Sequence, residues 1–181
     1  FAGVRTSAGE RIYASWPYDT GFATGGWAFW KFTVPLILDS GAVGLIFQVP
    51  PEDPATFSGP VFAMTGNVDT MLARVNATNT VYRESAMSFM QPPHASDLRV
   101  LRERGGRMLV YHGTSDPIFS SDDTLRWYRE LDANSGRQAS EFARYYPVPG
   151  MNHCSGGPAT DQFDMLTPLV EWVERGVPPV A

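Results

Sequence analysis

The sequence predicts an α/β fold for its second half, on three observations. Residues 98–177 alternate helix-like and strand-like segments. Both strand segments run into glycine-rich polar loops rather than hairpin turns. A helix-length segment separates the two strands, so they are expected to lie parallel. Residues 1–97 differ in texture: Trp16, Trp27 and Trp30 stand among frequent Gly and Pro with little sustained periodicity, which reads as irregular structure. No internal repeat is present.

In chain order, Ser96 and Asp97 precede Leu98 and Leu101, and Gly105-Gly106 stop the segment, which predicts a short capped helix. Residues 107–111 (RMLVY) are the first strand. Residues 112–119 (HGTSDPIF) must be a loop, since Gly113 and Pro117 both interrupt regular structure. Ser120, with Asp123 three residues on, forms a capping box for a helix that carries Leu125, Tyr128 and Leu131 on one face. Residues 142–148 (FARYYPV) are the second strand, and residues 151–158 (MNHCSGGP) are the second loop. Phe163, Leu166, Val170 and Val173 follow a 3.6-residue period. They predict a last helix capped by Thr160 or Asp161, kinked or restarted at Pro168, and ended by Gly176.

A chain of 181 residues is the length of about one domain and can bury about 70% of the surface its unfolded form exposes. Fourteen Lys and Arg against nineteen Asp and Glu give a net charge of −5. No basic cluster exceeds the modest one in residues 101–107, so a nucleic-acid partner is not expected. The most apolar stretch, residues 33–50, is interrupted by Pro35, Asp39, Ser40, Gln48 and two glycines, so no membrane span is expected. The single cysteine, Cys154, allows neither an internal disulfide nor a multi-thiolate metal site. The start at Phe1, with no basic-then-apolar leader, is expected of a processed protein or of a piece of a longer one.

In an open parallel sheet the ligand-facing loops lie at the carboxyl ends of the strands, and Asp116 and His153 occupy two such loops. An aspartate bonded to one imidazole nitrogen fixes the tautomer and leaves the other nitrogen to take a proton from a hydroxyl nucleophile. The order Asp before His is that of α/β-hydrolases, in which the serine comes earlier in a G-x-S-x-G turn. No such turn occurs in residues 1–115. Plainer readings stand beside this one. Asp116 precedes a proline and suits a turn that bonds its own backbone; His153 suits a solvated loop; His112, at the strand end, suits a structural role. A metal site from His112, Asp116 and His153 has no H-x-x-x-H or H-E-x-x-H spacing behind it, and no metal is expected. Ser155 follows the acid and adjoins the histidine too closely to be its nucleophile, which leaves it a loop serine.

Residues 105–121 (GGRMLVYHGTSDPIFSS) and 146–176 (YPVPGMNHCSGGPATDQFDMLTPLVEWVERG) resemble the C-terminal part of the tannase and feruloyl esterase family of secreted α/β-hydrolases. The phrases GMNHCSGGP and FDMLTPLVEWVERG are most similar to its mono(hydroxyethyl) terephthalate hydrolase branch. The resemblance implies that Asp116 is the catalytic acid and His153 the base. It further implies that Cys154 is bridged to a cysteine directly before the nucleophilic serine, in a segment absent from this chain.

The fold so implied is the C-terminal portion of an α/β-hydrolase sheet with part of an inserted lid: residues 1–90 a partial lid segment, residues 91–181 the C-terminal part of the catalytic domain. Trp27 and Trp30 are expected as walls for an aromatic acyl group, or as lid core, and Phe119 at the mouth of the acyl pocket. The implied function is a secreted or periplasmic serine-type carboxylic ester hydrolase for aromatic acid esters of feruloyl, galloyl or terephthaloyl type. Its partners are the small ester and a serine-bearing N-terminal portion of the same protein. No cofactor is implied within these residues, and any calcium site falls to the absent part of the lid. The alternative is a non-catalytic hydrolase-like binding or scaffolding domain. All three acyl groups are planar and aromatic, so shape does not choose among them.

Overall fold

The computed structural model describes residues 1–180 and divides into two compact units. Phe1–Ala2, Ala14–Trp27 and the chain from His94 onward form the first, and Gly3–Tyr13 with Ala28–Pro93 form the second. The stretch Ala14–Trp27 thus groups with the C-terminal residues and not with its neighbours in sequence.

The first unit is built on two parallel strands. Strand β1, Met108–Gly113, pairs with β2, Ala143–Val148, from Met108 opposite Ala143 to Gly113 opposite Val148. Their β-branched and aromatic residues suit a pleated, half-buried surface. β1 runs beyond Tyr111 to include His112 and Gly113, because the ladder continues opposite Pro147 and Val148. A short helix α1, Arg99–Glu103, precedes it, with Asp97 accepting the Arg99 amide at 3.2 Å.

The crossover between the strands is helix α2, Ser121–Asn134. Ser120 caps it by accepting the Asp122 amide at 3.1 Å, and Asp122 and Asp123 place negative charge in the first turn, where the helix dipole favours it. Its inner face buries Leu131 completely against Ala139, Phe142 and Ala143, with Tyr128, Leu101 and Met108 packed around them. The Tyr128 hydroxyl donates to the Ala143 carbonyl at 3.1 Å, which joins helix to strand.

Helix α3, Leu166–Arg175, starts later than its apolar period suggested. Asp164 caps it, accepting the amides of Leu166 at 2.9 Å and Thr167 at 3.0 Å, whereas Asp161 turns instead to the Gly156 amide at 2.6 Å. Pro168 therefore falls in the first turn, where its missing N–H costs no helical bond and no kink is needed. Phe163 precedes the helix and meets Tyr111 of β1 edge-on at 5.1 Å. Trp172 is buried, with the guanidinium groups of Arg107 and Arg144 over its ring at 5.6 and 5.3 Å.

The second unit is helical where irregular structure was expected. Gly59–Thr65, Val68–Val75 and Ala86–Met90 are short α-helices, the second capped by Asn67, which accepts the Thr70 amide at 2.9 Å. Between Gly25 and Phe47, α-turns at Gly25–Ala28 and Leu38–Gly41 alternate with π-turns at Phe29–Thr33 and Ala42–Phe47 and a 3-10 turn at Val34–Leu36. Each change of winding shifts the angular step per residue, so no single apolar period survives for a sequence reading to find. This run of 23 residues is long and apolar enough by length and composition to cross a membrane, contrary to the expectation that no stretch would be. Lys31 and Asp39 lie inside it, and Pro35 interrupts its hydrogen bonding.

Because Leu131 is fully buried in a small cluster, Leu131→Ala is expected to cost about 2–5 kcal/mol. The check is urea denaturation: the midpoint should fall with the slope unchanged, and a loss under about 1 kcal/mol would show that this cluster is not the core of the unit.

Candidate active site

The parallel ladder ends with the two strands delivering their loops side by side. The Thr114 amide donates to the Val148 carbonyl at 3.0 Å, and the Ser115 amide to the Met151 carbonyl at 3.1 Å. Gly113 permits this approach, since a Cβ there would sit 2.2 Å from the Met151 carbonyl oxygen and 2.7 Å from that of Asn152.

The HGTSDP sequence then turns on itself. The Asp116 amide donates to the Gly113 carbonyl at 3.1 Å. Pro117 has no N–H, so Asp116 Oδ1 reaches the next two amides, Ile118 at 2.7 Å and Phe119 at 3.0 Å. With Oδ1 engaged by its own turn, Oδ2 faces the imidazoles: His153 Nδ1 at 2.9 Å and His112 Nε2 at 3.2 Å. Asp116 therefore bonds its own turn through one oxygen and the two imidazoles through the other.

A carboxylate can only accept, so the His153 Nδ1 carries the proton it shares with Asp116, and Nε2 is the nitrogen with basic character. His112 was read as structural, yet it sits on the same carboxylate. Its Nε2 also lies 3.0 Å from the Phe119 carbonyl, so that nitrogen donates, while Nδ1 meets the Thr124 hydroxyl at 2.7 Å. The signal that could have found it is its place at the strand end, four residues before the aspartate.

Asp116 is only 4% exposed. Burial pushes its carboxyl up, but hydrogen bonds from His112, His153 and the Ile118 and Phe119 amides outweigh it and hold the group below the usual carboxylate range.

Phe119 is 57% exposed and its ring lies 5.5 Å from the His153 ring, beside the pair. Trp27 is 5% exposed and packs on Phe1 at 5.7 Å and Phe22 at 4.7 Å, an arrangement that puts its indole in an aromatic cluster. Trp30, in the second unit, lies edge-on to Phe29 at 6.0 Å. Cys154 is exposed, with its backbone in the left-handed region at φ 66°. Ser155 is exposed on the loop; Ser115 is fully buried and accepts the Gly21 amide at 3.0 Å. Among the described residues no cluster of three or more His, Cys, Asp or Glu is arranged to hold a metal ion.

Fold and site define a class: an α/β protein that holds a carboxylate–imidazole pair on the loops at the carboxyl ends of adjacent parallel strands. Within that class, the chain belongs to the tannase and feruloyl esterase family, whose model matches residues 1–181. It is 38% identical over 195 residues to a mono(2-hydroxyethyl) terephthalate hydrolase of Piscinibacter sakaiensis, covering 98% of this chain and 32% of that protein. It is 30% identical over 126 residues to a probable feruloyl esterase B-2 of Neosartorya fischeri, covering 58% of this chain and 24% of that protein. The solved tannin acyl hydrolase of Aspergillus niger superposes with a TM-score of 0.53 at 18% identity, over 98% of this chain and 33% of that one, and shows a shared fold. The chain thus spans about a third or less of the length of these relatives.

The depressed Asp116 carboxyl has a defined pH signature. A group more acidic in the folded than in the unfolded chain stabilises fully above the unfolded value, about 3.9 for aspartate, and loses that contribution as pH falls through the folded value. The stability difference between the unsubstituted protein and Asp116→Asn should hold steady down to about pH 4 and narrow below it. Urea midpoints taken from pH 5 to 3 measure it, and a difference that widens on acidification would contradict the assignment.

Proposed function

We propose that this chain supplies the acid and base of a serine-type carboxylic ester hydrolase acting on aromatic acid esters of feruloyl, galloyl or terephthaloyl type. The observation that carries the reading is the 2.9 Å contact between Asp116 Oδ2 and His153 Nδ1 at the ends of neighbouring parallel strands. Family membership and the names of the relatives support the ester class. The nucleophilic serine is taken to lie in sequence outside these residues, which fits a chain about a third as long as its relatives. Residues 1–90 are then read as part of the lid and residues 91–181 as the C-terminal part of the catalytic domain. The described sheet of only two strands supports this, because so small a sheet buries little on its own. A location outside the cytoplasm suits a disulfide between Cys154 and a cysteine beside that serine.

In this mechanism the serine oxygen attacks the ester carbonyl carbon while His153 Nε2 takes the hydroxyl proton. Asp116 remains ionised and stabilises the imidazolium on its Nδ1 side. The tetrahedral intermediate then expels the alcohol, which leaves with the proton from Nε2. Water attacks the acyl-serine with the same base, releasing the aromatic acid and restoring the serine. Phe119, whose ring lies beside the imidazole, is read as the residue at the mouth of the acyl pocket. The substrate is a small molecule, and neither nucleic acid nor a membrane surface has a part in it.

Steady-state kinetics on the full-length, serine-bearing protein test this. His153→Ala is expected to cost several orders of magnitude in kcat and Asp116→Asn about 10⁴. Phe119→Ala should raise KM for an aromatic acyl ester more than for an acetate. Turnover by the 181-residue chain alone that survives His153→Ala would overturn the mechanism, reopen Ser155 as nucleophile and leave the pair as scaffolding. Cys154 in the intact oxidised protein should resist alkylation until a reductant is added; ready labelling without one removes the disulfide from the proposal.

A further inference from the structure

Asp19 lies in the stretch that groups with the C-terminal unit, and its carboxylate reaches both loops of the acid–base pair. Its Oδ2 accepts the Thr114 hydroxyl and the Gly150 amide, the latter at 2.8 Å. Thr114 leads from β1 to Asp116, and Gly150 leads from β2 to His153. Its Oδ1 accepts the Thr20 amide at 2.6 Å and so caps the 3-10 turn Thr20–Ala23. The carboxylate is thereby held on one oxygen by its own turn and on the other by the two loops.

The residues that follow continue the brace. The Gly21 amide donates to the buried Ser115 hydroxyl at 3.0 Å. Only glycine fits there, because a Cβ would stand 2.3 Å from Ser115 Oγ and 2.8 Å from the Gly150 carbonyl oxygen. Asn152 Nδ2 lies 3.4 Å from the Thr24 hydroxyl. The chain from Asp19 to Thr24 therefore touches the acid loop at Thr114 and Ser115 and the base loop at Gly150 and Asn152.

We infer that Asp19 is a positioning residue for the acid–base pair, tying the Thr114 and Gly150 loops together so that His153 meets Asp116 in register. The inference rests on the reading of Asp116 and His153 as acid and base. Asp19 contacts neither of them and acts through their loops. A carboxylate is the group the site requires, since it meets N–H and O–H donors on both oxygens; an asparagine would turn an amide N–H₂ against one of them. Burial pushes the Asp19 carboxyl up, but the bonds from Thr114, Gly150 and Thr20 outweigh it and hold the group below the usual range.

Asp19→Asn in the full-length protein tests it, with Thr114→Val as a milder variant that removes one donor. Asp19→Asn is expected to lower kcat for an aromatic ester about 10²-fold with KM changed less than about 3-fold, because misplacement by about 1 Å costs that much. The proton shared by His153 Nδ1 and Asp116 should give a far-downfield ¹H NMR resonance that Asp19→Asn shifts or broadens. Thr114→Val should act in the same direction with a smaller effect, and the double variant should be no worse than Asp19→Asn, as two members of one contact require. A variant that unfolds more easily but keeps kcat and the resonance would make Asp19 merely structural and overturn the inference. If Asp19→Asn does not fold, Thr114→Val decides alone, and no change in kcat or resonance refutes the clamp. A resonance missing from the unsubstituted protein, together with full activity in His153→Ala, would refute the acid–base reading itself and not only the clamp.

Discussion

The parallel pairing of β1 and β2, ending with Gly113 opposite Val148, is what brings the Asp116 and His153 loops together. Parallel strands send their chains out at the same edge, so the loops after them start as neighbours although a whole helix lies between them in sequence. Gly113 then lets the backbones close to a spacing that any side chain would prevent. Helix α2 is what makes the pairing possible: its buried Leu131 anchors the crossover on Phe142 and Ala143, at the start of the second strand.

Asp116 shows how a buried charge is kept. Taking a carboxylate out of water is costly unless it is fully bonded, and here four donors surround it, two from its own turn and two from imidazoles. The same bonds that offset its burial also orient it, so stability and proposed chemistry draw on one set of contacts. His112 contributes to both, as it joins the acid to the Phe119 carbonyl and to Thr124 at the start of α2.

Family membership also bears on the apolar surface. Val100, Tyr111, Leu166 and Val173 of the first unit are well exposed, as are Phe32, Ile37, Ile46 and Met64 of the second. Within the proposed reading, a chain about a third the length of its relatives leaves such residues open where further sequence packs in a whole enzyme.

Much of the C-terminal unit was legible from sequence because its signals are local. The strand segments, the Ser120 cap, the apolar face ending at Leu131 and the stop at Gly176 each depend on residues a turn or two apart, and parallel pairing follows from the helix between the strands. Asp116 and His153 could be matched because both lie in loops at strand ends. The first half was not legible, since mixed α, π and 3-10 winding leaves no constant apolar period. The late start of α3 turned on which aspartate bonds which amide, with Asp161 drawn to Gly156 and Asp164 left to cap. Tertiary structure alone decided that Asp19 reaches Thr114 and Gly150 and that Ser115 meets Gly21. Each depends on where a side-chain oxygen or nitrogen points once distant segments have packed, and the order of residues along a chain carries no such direction.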